Sequence, residues 1–306
     1  MEKIFDSVRE LDKRAEDAFN LKYGVLMEHA ARGMAERIGS LFSSPLVQIV
    51  CGSGDNGGDG FALARMLADF CTVRVVSVKE PKSPLCKLQR ERLDLLDIPV
   101  TTELQEHCDA LVDAVFGTGI RGSLDNEMCA VIDRMNAVQG YKIACDIPSG
   151  LNEFGMPSPV AFRADETCTM GALKTALYAD AAKDYTGDIH VCNLGLPRRC
   201  YEGETDTFLL SINDMRLPHR AVQNTHKMSY GHGLFFCGEK NGACMLAASA
   251  ALHFGIGLVS IFGKPVPAAP FDFMYTAELP ENFSAAMVGS GLGRTTDWQA
   301  RVLEFL

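Results

Sequence analysis

Apolar residues recur at helical spacing through the opening of the chain. Ile4, Phe5, Val8, Leu11 and Ala15 form one stripe, and Leu26, Ala30, Met34 and Ile38 form another. Two amphipathic helices are predicted. The pattern then shortens. LVQIVCG (46–52), VRVVSV (73–78), ALVDAVF (110–116), KIACDI (142–147) and GDIHVCNLG (187–195) read as short apolar strands. FALARMLADF (61–70), KLQRERLDLL (87–96) and the segment near Glu127–Met135 read as the helices between them. Strands alternating with helices predict a parallel sheet covered on both faces, which binds ligands at the carboxyl ends of its strands.

The pattern breaks near 195–220, where LGLPRRCYEGETD leaves the sheet rhythm. A second unit follows: a strand in GHGLFFCG, an Asn241-Gly242 turn, the Ala-rich helix ACMLAASAALHFG, a strand GLVSIF, a strand-to-glycine junction SAAMVGSGLGR and a last helix DWQARVLEFL. The expected domains are 1–212 and 213–306.

Composition narrows the class. Apolar residues make up 47 % and charged residues 22 %, as in a globular protein and unlike a disordered one. Acidic residues outnumber basic ones, 39 to 29, with no basic run, which argues against general binding to nucleic acid or anionic membrane. The N-terminus lacks the apolar core of a signal peptide, and no apolar stretch is long enough for a membrane span. The 11 cysteines include no CxxC pair and no zinc-ligand spacing. Cys51, Cys145, Cys168 and Cys192 fall in apparent strands, so reduced buried thiols and a cytoplasmic location are expected.

Three strand ends carry polar, glycine-rich sequence. CGSGDNGGDG (51–60) follows a strand and opens a helix. Glycine there admits positive φ and removes the Cβ that would block a ligand, and amides at a helix start face phosphate. Gly52, Gly54 and Gly57 also satisfy GxGxxG, with Glu80 after the next strand placed to hold a ribose, so a nicotinamide dehydrogenase is one reading. Against it, Asp55 and Asp59 would repel a pyrophosphate. No Gly-Lys-Ser/Thr follows, which excludes a P-loop. DAVFGTGIRG (113–122) turns at Gly117, Thr118 and Gly119; alone it reads more readily as a plain connection than as a site. DIPSG (146–150) ends an apolar strand with Asp146. There a general acid/base and a turn cap are both open. Lys174 in GALKTALY and Asp165 each read as solvated surface charge or as functional groups. A binding or scaffold module without catalysis is the remaining alternative.

Taken in order, Gly-Asp-Asn-Gly-Gly-Asp-Gly, Asp-Ala-Val-Phe-Gly-Thr-Gly and Asp-Ile-Pro-Ser-Gly with a downstream Gly-Ala-Leu-Lys resemble the NAD(P)H-hydrate epimerases, as does LDKRAEDAFNL…LMEHAARGMA before them. The resemblance covers residues 1 to about 200. The second unit resembles the opening of the nucleotide-dependent NAD(P)H-hydrate dehydratase often fused to it, through Thr225-His226-Lys227…Tyr230-Gly231, Asn241-Gly242-Ala243 and Gly289-Ser290-Gly291-Leu292-Gly293. The dehydratase Gly-Thr-Gly-Asp segment has no counterpart after residue 293, so an incomplete ribokinase-like α/β domain is expected behind a three-layer Rossmann-like α/β domain. Asp55 stands where the epimerases usually have Asn.

The resemblance implies a hydrated NADH or NADPH as substrate. Its hydroxyl sits on a carbon beside the ring nitrogen, so water can leave to give a planar iminium and return from either face. Asp146 is implied as the acid/base, with Lys174 assisting. A potassium ion is implied at Asn56, Asp113 and Ser149. The dinucleotide would lie on Asp55, Asn56, Gly57, Gly58 and Asp59 and on Gly117, Thr118, Gly119, Ile120, Arg121, Gly122 and Ser123. ADP or ATP, with Ala243 and Gly291 at the hydrate site, would serve the completed second domain. A homo-oligomer is the expected assembly.

Overall fold

The computed structural model describes residues 1–119, 122–216, 220–266 and 270–305. Chain contacts divide it into two compact units, Met1–Ser211 and Ile212–Leu306.

The first unit begins with a strand, β1 (Glu2–Phe5), followed by α1 (Arg9–Phe19) and α2 (Tyr23–Leu41). Then come β2 (Leu46–Cys51), α3 (Asp55–Leu67), β3 (Thr72–Ser77), α4 (Pro84–Asp94), β4 (Val100–Thr101) and β5 (His107–Ala114). The unit continues with α5 (Asn126–Ala137), β6 (Gln139–Cys145), β7 (Glu166–Met170), β8 (Leu173–Lys174), α6 (Lys183–Thr186), β9 (Asp188–Cys192), α7 (Arg198–Tyr201) and β10 (Phe208–Leu209).

Seven strands form one sheet in the order β4-β3-β2-β5-β6-β7-β9, and every pairing is parallel. The chain runs outward from β2 through β3 to β4, then returns to the other side of β2 with β5. The order reverses between β2 and β5, where open α/β sheets leave a crevice at their carboxyl ends. Alternate strand residues face opposite layers. Val47, Ile49, Cys51, Val112 and Ala114 pack against α1, α2 and α3. Val50, Leu111, Val115 and Ala144 pack against α5 through Met128, Ile132 and Met135. This is a three-layer Rossmann-like arrangement. β1, β8 and β10 make a separate small sheet in the order β10-β1-β8.

Helix starts follow local chemistry. Ser83 Oγ accepts the Cys86 amide at the start of α4, with Pro84 in the first turn. Asp125 Oδ1 accepts the Met128 amide at the start of α5. Such caps satisfy amides that lack intrahelical partners.

Two sequence expectations change in this unit. Ile4 and Phe5 are buried in a strand rather than a helix; the helix begins at Arg9. α3 starts at Asp55, so the glycine-rich stretch is itself helical. β7, the strand expected around Cys168, is fully buried inside the sheet although its sequence ETCTM has no apolar run.

The second unit places β11 (His232–Cys237), α8 (Asn241–Phe254), β12 (Leu258–Gly263), β13 (Phe273–Thr276), β14 (Ala285–Met287) and α9 (Thr296–Phe305) in sequence. Its four strands are parallel in the order β13-β12-β11-β14. Cys244 and Ala248 of α8 cover one face. Phe236, Phe262 and Leu292 meet Trp298, Val302 and Phe305 on the other. Asn241-Gly242 is the first turn of α8 rather than a turn before it. Among the described residues no helix is long and apolar enough to cross a membrane.

One ion pair anchors α2 to the sheet. Arg37 donates from Nε and Nη2 to the two carboxylate oxygens of Glu166 at 2.7 and 2.8 Å, and the Glu166 side chain is 1 % exposed. Burial alone would raise the Glu166 carboxyl, but hydrogen bonds and charge from Arg37 outweigh it and hold the group below its ordinary 4.5. The pair therefore stabilises the fold above about pH 4.5 and loses that contribution as pH falls through the lowered value. Arg37→Ala would leave a buried unpaired carboxylate, costing about 3 kcal/mol. Calorimetry should show the first unit melting roughly 6–12 °C lower at neutral pH, and an unchanged melting temperature would contradict this.

Candidate active site

The carboxyl ends of β2, β5 and β6 surround a cavity of about 630 Å3, a size common for small-molecule sites. Asp55, Asn56, Asp59, Gly117, Thr118, Gly119 and Asp146 line it. The three glycine-rich or polar strand ends thus meet at one place.

Gly117 is where they touch. A Cβ there would stand 3.2 Å from Asp146 Oδ2 and 3.4 Å from Asn56 Oδ1. The bare backbone of the second loop therefore lies between a side chain of the first and a side chain of the third. The Asn56 Nδ2 is buried without a hydrogen-bond partner.

Asp146 adopts φ +71, unusual for a residue other than glycine. Its amide continues the sheet by donating to Cys168 O at 2.8 Å. Its Oδ1 accepts from Lys174 Nζ at 2.7 Å and from the Met170 amide at 3.2 Å. Lys174 is 1 % exposed; its ammonium also donates to Thr169 Oγ1 at 2.6 Å and Met170 O at 3.1 Å. Lys174 is thus neither a solvated lysine nor a lining residue of this cavity. It lines a smaller neighbouring one of about 170 Å3 and holds Asp146 from behind.

Asp113 is fully buried at the end of β5. Its Oδ1 accepts from Ser149 Oγ at 2.6 Å and from the Val115 amide at 3.1 Å, and its Oδ2 accepts the Ser149 amide at 2.7 Å. Burial pushes its carboxyl up to about 6, although these hydrogen bonds pull the other way. Ser149 Oγ also accepts the Phe116 amide at 2.8 Å, joining the second and third loops.

The carboxylates here influence one another. Burial raises Asp59 well above the ordinary carboxylate range, and the charges of Asp146, Asp55 and Asp12 add to the rise. Asp55 remains exposed at the first position of α3.

None of the glycines of the first loop has positive φ. They permit close packing instead. A Cβ on Gly57 would overlap Gly52 O, and one on Gly60 would meet Ala114 Cβ and Cys51 Sγ at 2.7 Å. Gly58 packs against Met27 and Cys86. Gly57 and Gly58 therefore support the cavity rather than line it. Gly122, at φ +81, and Ser123, whose Oγ lies 3.4 Å from Ser158 Oγ, stand outside the lining. Glu80 follows the end of β3 and does not line it either. Ile120 and Arg121 fall outside the described residues. Asp165 caps the sheet rather than serving a site, its Oδ2 accepting the Lys142 amide at 2.8 Å.

The three loop motifs leave out a further part of the lining. Arg9 and Asp12 of α1, Tyr23, Leu26 and Met27 of α2, and Leu194 also line the cavity. The lead-in segment matched as a whole, but no residue in it carried a separate signal. In the second unit, Ala243 is exposed in the first turn of α8 and Gly291 has φ +74. The Lys240 amide donates to Gly291 O at 2.8 Å, joining their loops at the carboxyl edge of that sheet. Thr225, His226, Lys227 and Tyr230 line a separate cavity of about 410 Å3.

The profile of the family described as YjeF-related protein N-terminus matches residues 24–176. The chain belongs to that family. A bifunctional NAD(P)H-hydrate repair enzyme Nnr from Helicobacter pylori is 38 % identical over 302 residues, covering 94 % of this chain and 64 % of the relative. One from Archaeoglobus fulgidus is 32 % identical, covering 90 % of this chain and 56 % of its own length. The chain therefore spans less than two thirds of these bifunctional relatives. A Rhodopirellula baltica protein named NAD(P)H-hydrate epimerase is 32 % identical over 201 residues, 62 % of this chain and 82 % of that protein. The crystal structure of yeast ynu0 aligns with TM-score 0.56 at 18 % identity, over 68 % of this chain and 96 % of that one, which shows the shared fold.

The packing argument is testable at Gly60. Gly60→Ala must push α3 off β2 and β5 and should cost about 1–3 kcal/mol. Gly119→Ala, where a Cβ meets nothing within 4 Å, should be nearly neutral. Calorimetry of both variants checks this; equal melting temperatures would contradict it.

Proposed function

We propose that the first unit interconverts the R and S forms of hydrated NADH or NADPH, as a step of nicotinamide-nucleotide repair. The observation that carries this reading is the convergence at Gly117, where Asn56 and the cavity-facing oxygen of Asp146 approach the same backbone. The names of the Helicobacter and Rhodopirellula relatives support it.

Asp146 is the acid/base in this reading. One carboxylate oxygen is occupied by Lys174 and the Met170 amide, which leaves Oδ2 for the substrate hydroxyl. Loss of that hydroxyl as water is driven by the ring nitrogen lone pair. The carboxyl group moves the proton that departure and return require. Lys174 is a positioning residue: it balances the Asp146 charge and fixes its orientation. The start of α3, with Asp55, Asn56 and Asp59, and the loop at Gly117, Thr118 and Gly119 hold the dinucleotide. Amides at the start of α3 suit its phosphates, while Leu26, Met27, Val115 and Phe116 supply apolar lining.

A potassium ion at Asn56, Asp113 and Ser149 fits the chemistry of the site. Among the described residues no group of three or more His, Cys, Asp and Glu side chains could hold a metal ion, so a cation here draws on hard neutral oxygens besides Asp113. Asp113 is a buried acid with no basic side chain bonded to it, and a monovalent cation supplies the missing charge.

We assign residues 213–306 to the N-terminal portion of a ribokinase-like dehydratase domain that uses ADP or ATP, with Ala243 and Gly291 contributing to its hydrate site. Their joined loops at a sheet's carboxyl edge support this. A cytoplasmic homo-oligomer completes the reading; the 11 cysteines are free, as suits a reducing compartment.

Asp146→Asn should slow R/S interconversion by about 10²–10⁴-fold, followed by chromatography of the two hydrates with no net change in oxidation state. An undiminished rate would remove Asp146 from the mechanism, and hydride transfer to an added carbonyl substrate would favour the dehydrogenase reading. Replacing potassium by sodium should lower both the interconversion rate and the melting temperature. Equal values in the two salts would count against a specific cation.

A further inference from the structure

Asp12 is a carboxylate of this cavity that lies within the lead-in segment but carries no separate signal there. It stands on α1 and lines the cavity with Asp146, Asp59 and Asn56. Its Oδ1 accepts the Tyr201 hydroxyl at 2.7 Å, and its other oxygen has no hydrogen-bond partner among the described residues. Tyr201 is 2 % exposed. Its ring lies against Gly171, where a Cβ would come within 2.5 Å of it and where φ is +72. Gly171 turns the chain between β7, which supplies the Met170 amide to Asp146, and β8, which supplies Lys174. The turn that fixes Asp146 therefore also seats Tyr201, and through it one oxygen of Asp12.

Inversion at the hydrate carbon has two halves. The hydroxyl leaves from one face of the ring and water arrives on the other. Each half moves a proton at an oxygen on its own face. A carboxylate clamped by Lys174 and the Met170 amide is fixed on a single side. Building on the epimerase reading, we propose that Asp12 is the second acid–base group of the site, serving the ring face that Asp146 does not.

In one direction the Asp12 carboxylic acid donates its proton to the hydroxyl. The C–O bond breaks, the nitrogen lone pair forms the C=N bond of the iminium, and water leaves. Water then adds to the other face, the C=N electron pair returns to nitrogen, and Asp146 takes the released proton. One water leaves and one enters. One proton passes from Asp12 to Asp146, to be returned through solvent or by the reverse turnover, which begins with Asp146 protonated. Burial raises the Asp12 carboxyl above its ordinary range, offset in part by Tyr201 and Lys174 and reinforced by Asp146. An acid so placed retains its proton more readily.

The test follows inversion and label separately. Hydrated NADH in oxygen-18 water is incubated with the wild-type chain, Asp12→Asn and Tyr201→Phe, each corrected for the enzyme-free rate. The amide introduced by Asp12→Asn keeps an oxygen that can accept from Tyr201, so the local fold is retained. The wild type should invert the centre and incorporate label. Asp12→Asn should lose inversion by about 10²-fold or more yet still incorporate label with retained configuration, because Asp146 continues to work its own face. Tyr201→Phe should lower kcat with little change in KM. Inversion by Asp12→Asn at the wild-type rate overturns the proposal. So does parallel loss of inversion and labelling, the pattern of a merely structural residue. A wild-type chain that neither inverts nor labels the hydrate overturns the epimerase reading itself.

Discussion

The buried contact between Lys174 and Asp146 sets the geometry on which the site depends. Lys174 brings a full charge into the interior, and its ammonium is met by Asp146, Thr169 and two backbone carbonyls at 3.1 and 3.5 Å. Removing one member of such a pair leaves the other charged and desolvated, at a cost of about 3–5 kcal/mol. The pair holds Asp146 in a left-handed backbone conformation that an aspartate adopts only under local constraint. It also divides the carboxylate into an oxygen committed to the protein and one turned toward Gly117 and Asn56. The turn at Gly171 and the packing of Tyr201 follow from the need to close the space around this contact.

A second constraint is the depth to which α3 sinks into the sheet. Gly57 and Gly60 let the helix approach β2 and β5 closely enough that its first turn reaches the cavity. The glycines thus act through packing, and the polar residues between them act through position. Asp113 and Ser149, buried behind the cavity, lock the second loop to the third. The same sheet order that creates the crevice in dinucleotide-binding folds creates it here, and carboxylates gather in it: Asp12, Asp55, Asp59 and Asp146 all line the cavity.

Much of this was legible in the sequence because it rests on short-range patterns. The apolar runs that became β2, β3, β5, β6 and β9 announce themselves, and the loops that follow β2, β5 and β6 meet at the cavity. What was not legible rests on partners far along the chain. β7 reads as polar, yet Glu166 is satisfied by Arg37, Thr167 donates to Thr186 O at 2.7 Å, and Thr169 receives Lys174. β1 fits a helical stripe because the five buried residues Ile4, Phe5, Val8, Leu11 and Ala15 also suit a short strand leading into a helix; its pairing with Leu173, Lys174, Phe208 and Leu209 decides the matter. Asp12 gains its place from Tyr201, at the other end of the unit; the lead-in segment contains Asp12, but no local signal gives it or Tyr201 a separate role.

The most direct test of the account is a crystal structure of this chain grown with hydrated NADPH. The account predicts a dinucleotide spanning the start of α3 and the loop after β5, with the hydroxylated ring carbon beside Asp146 Oδ2. A dinucleotide bound elsewhere, or one whose reactive ring lies away from Asp146, would contradict it.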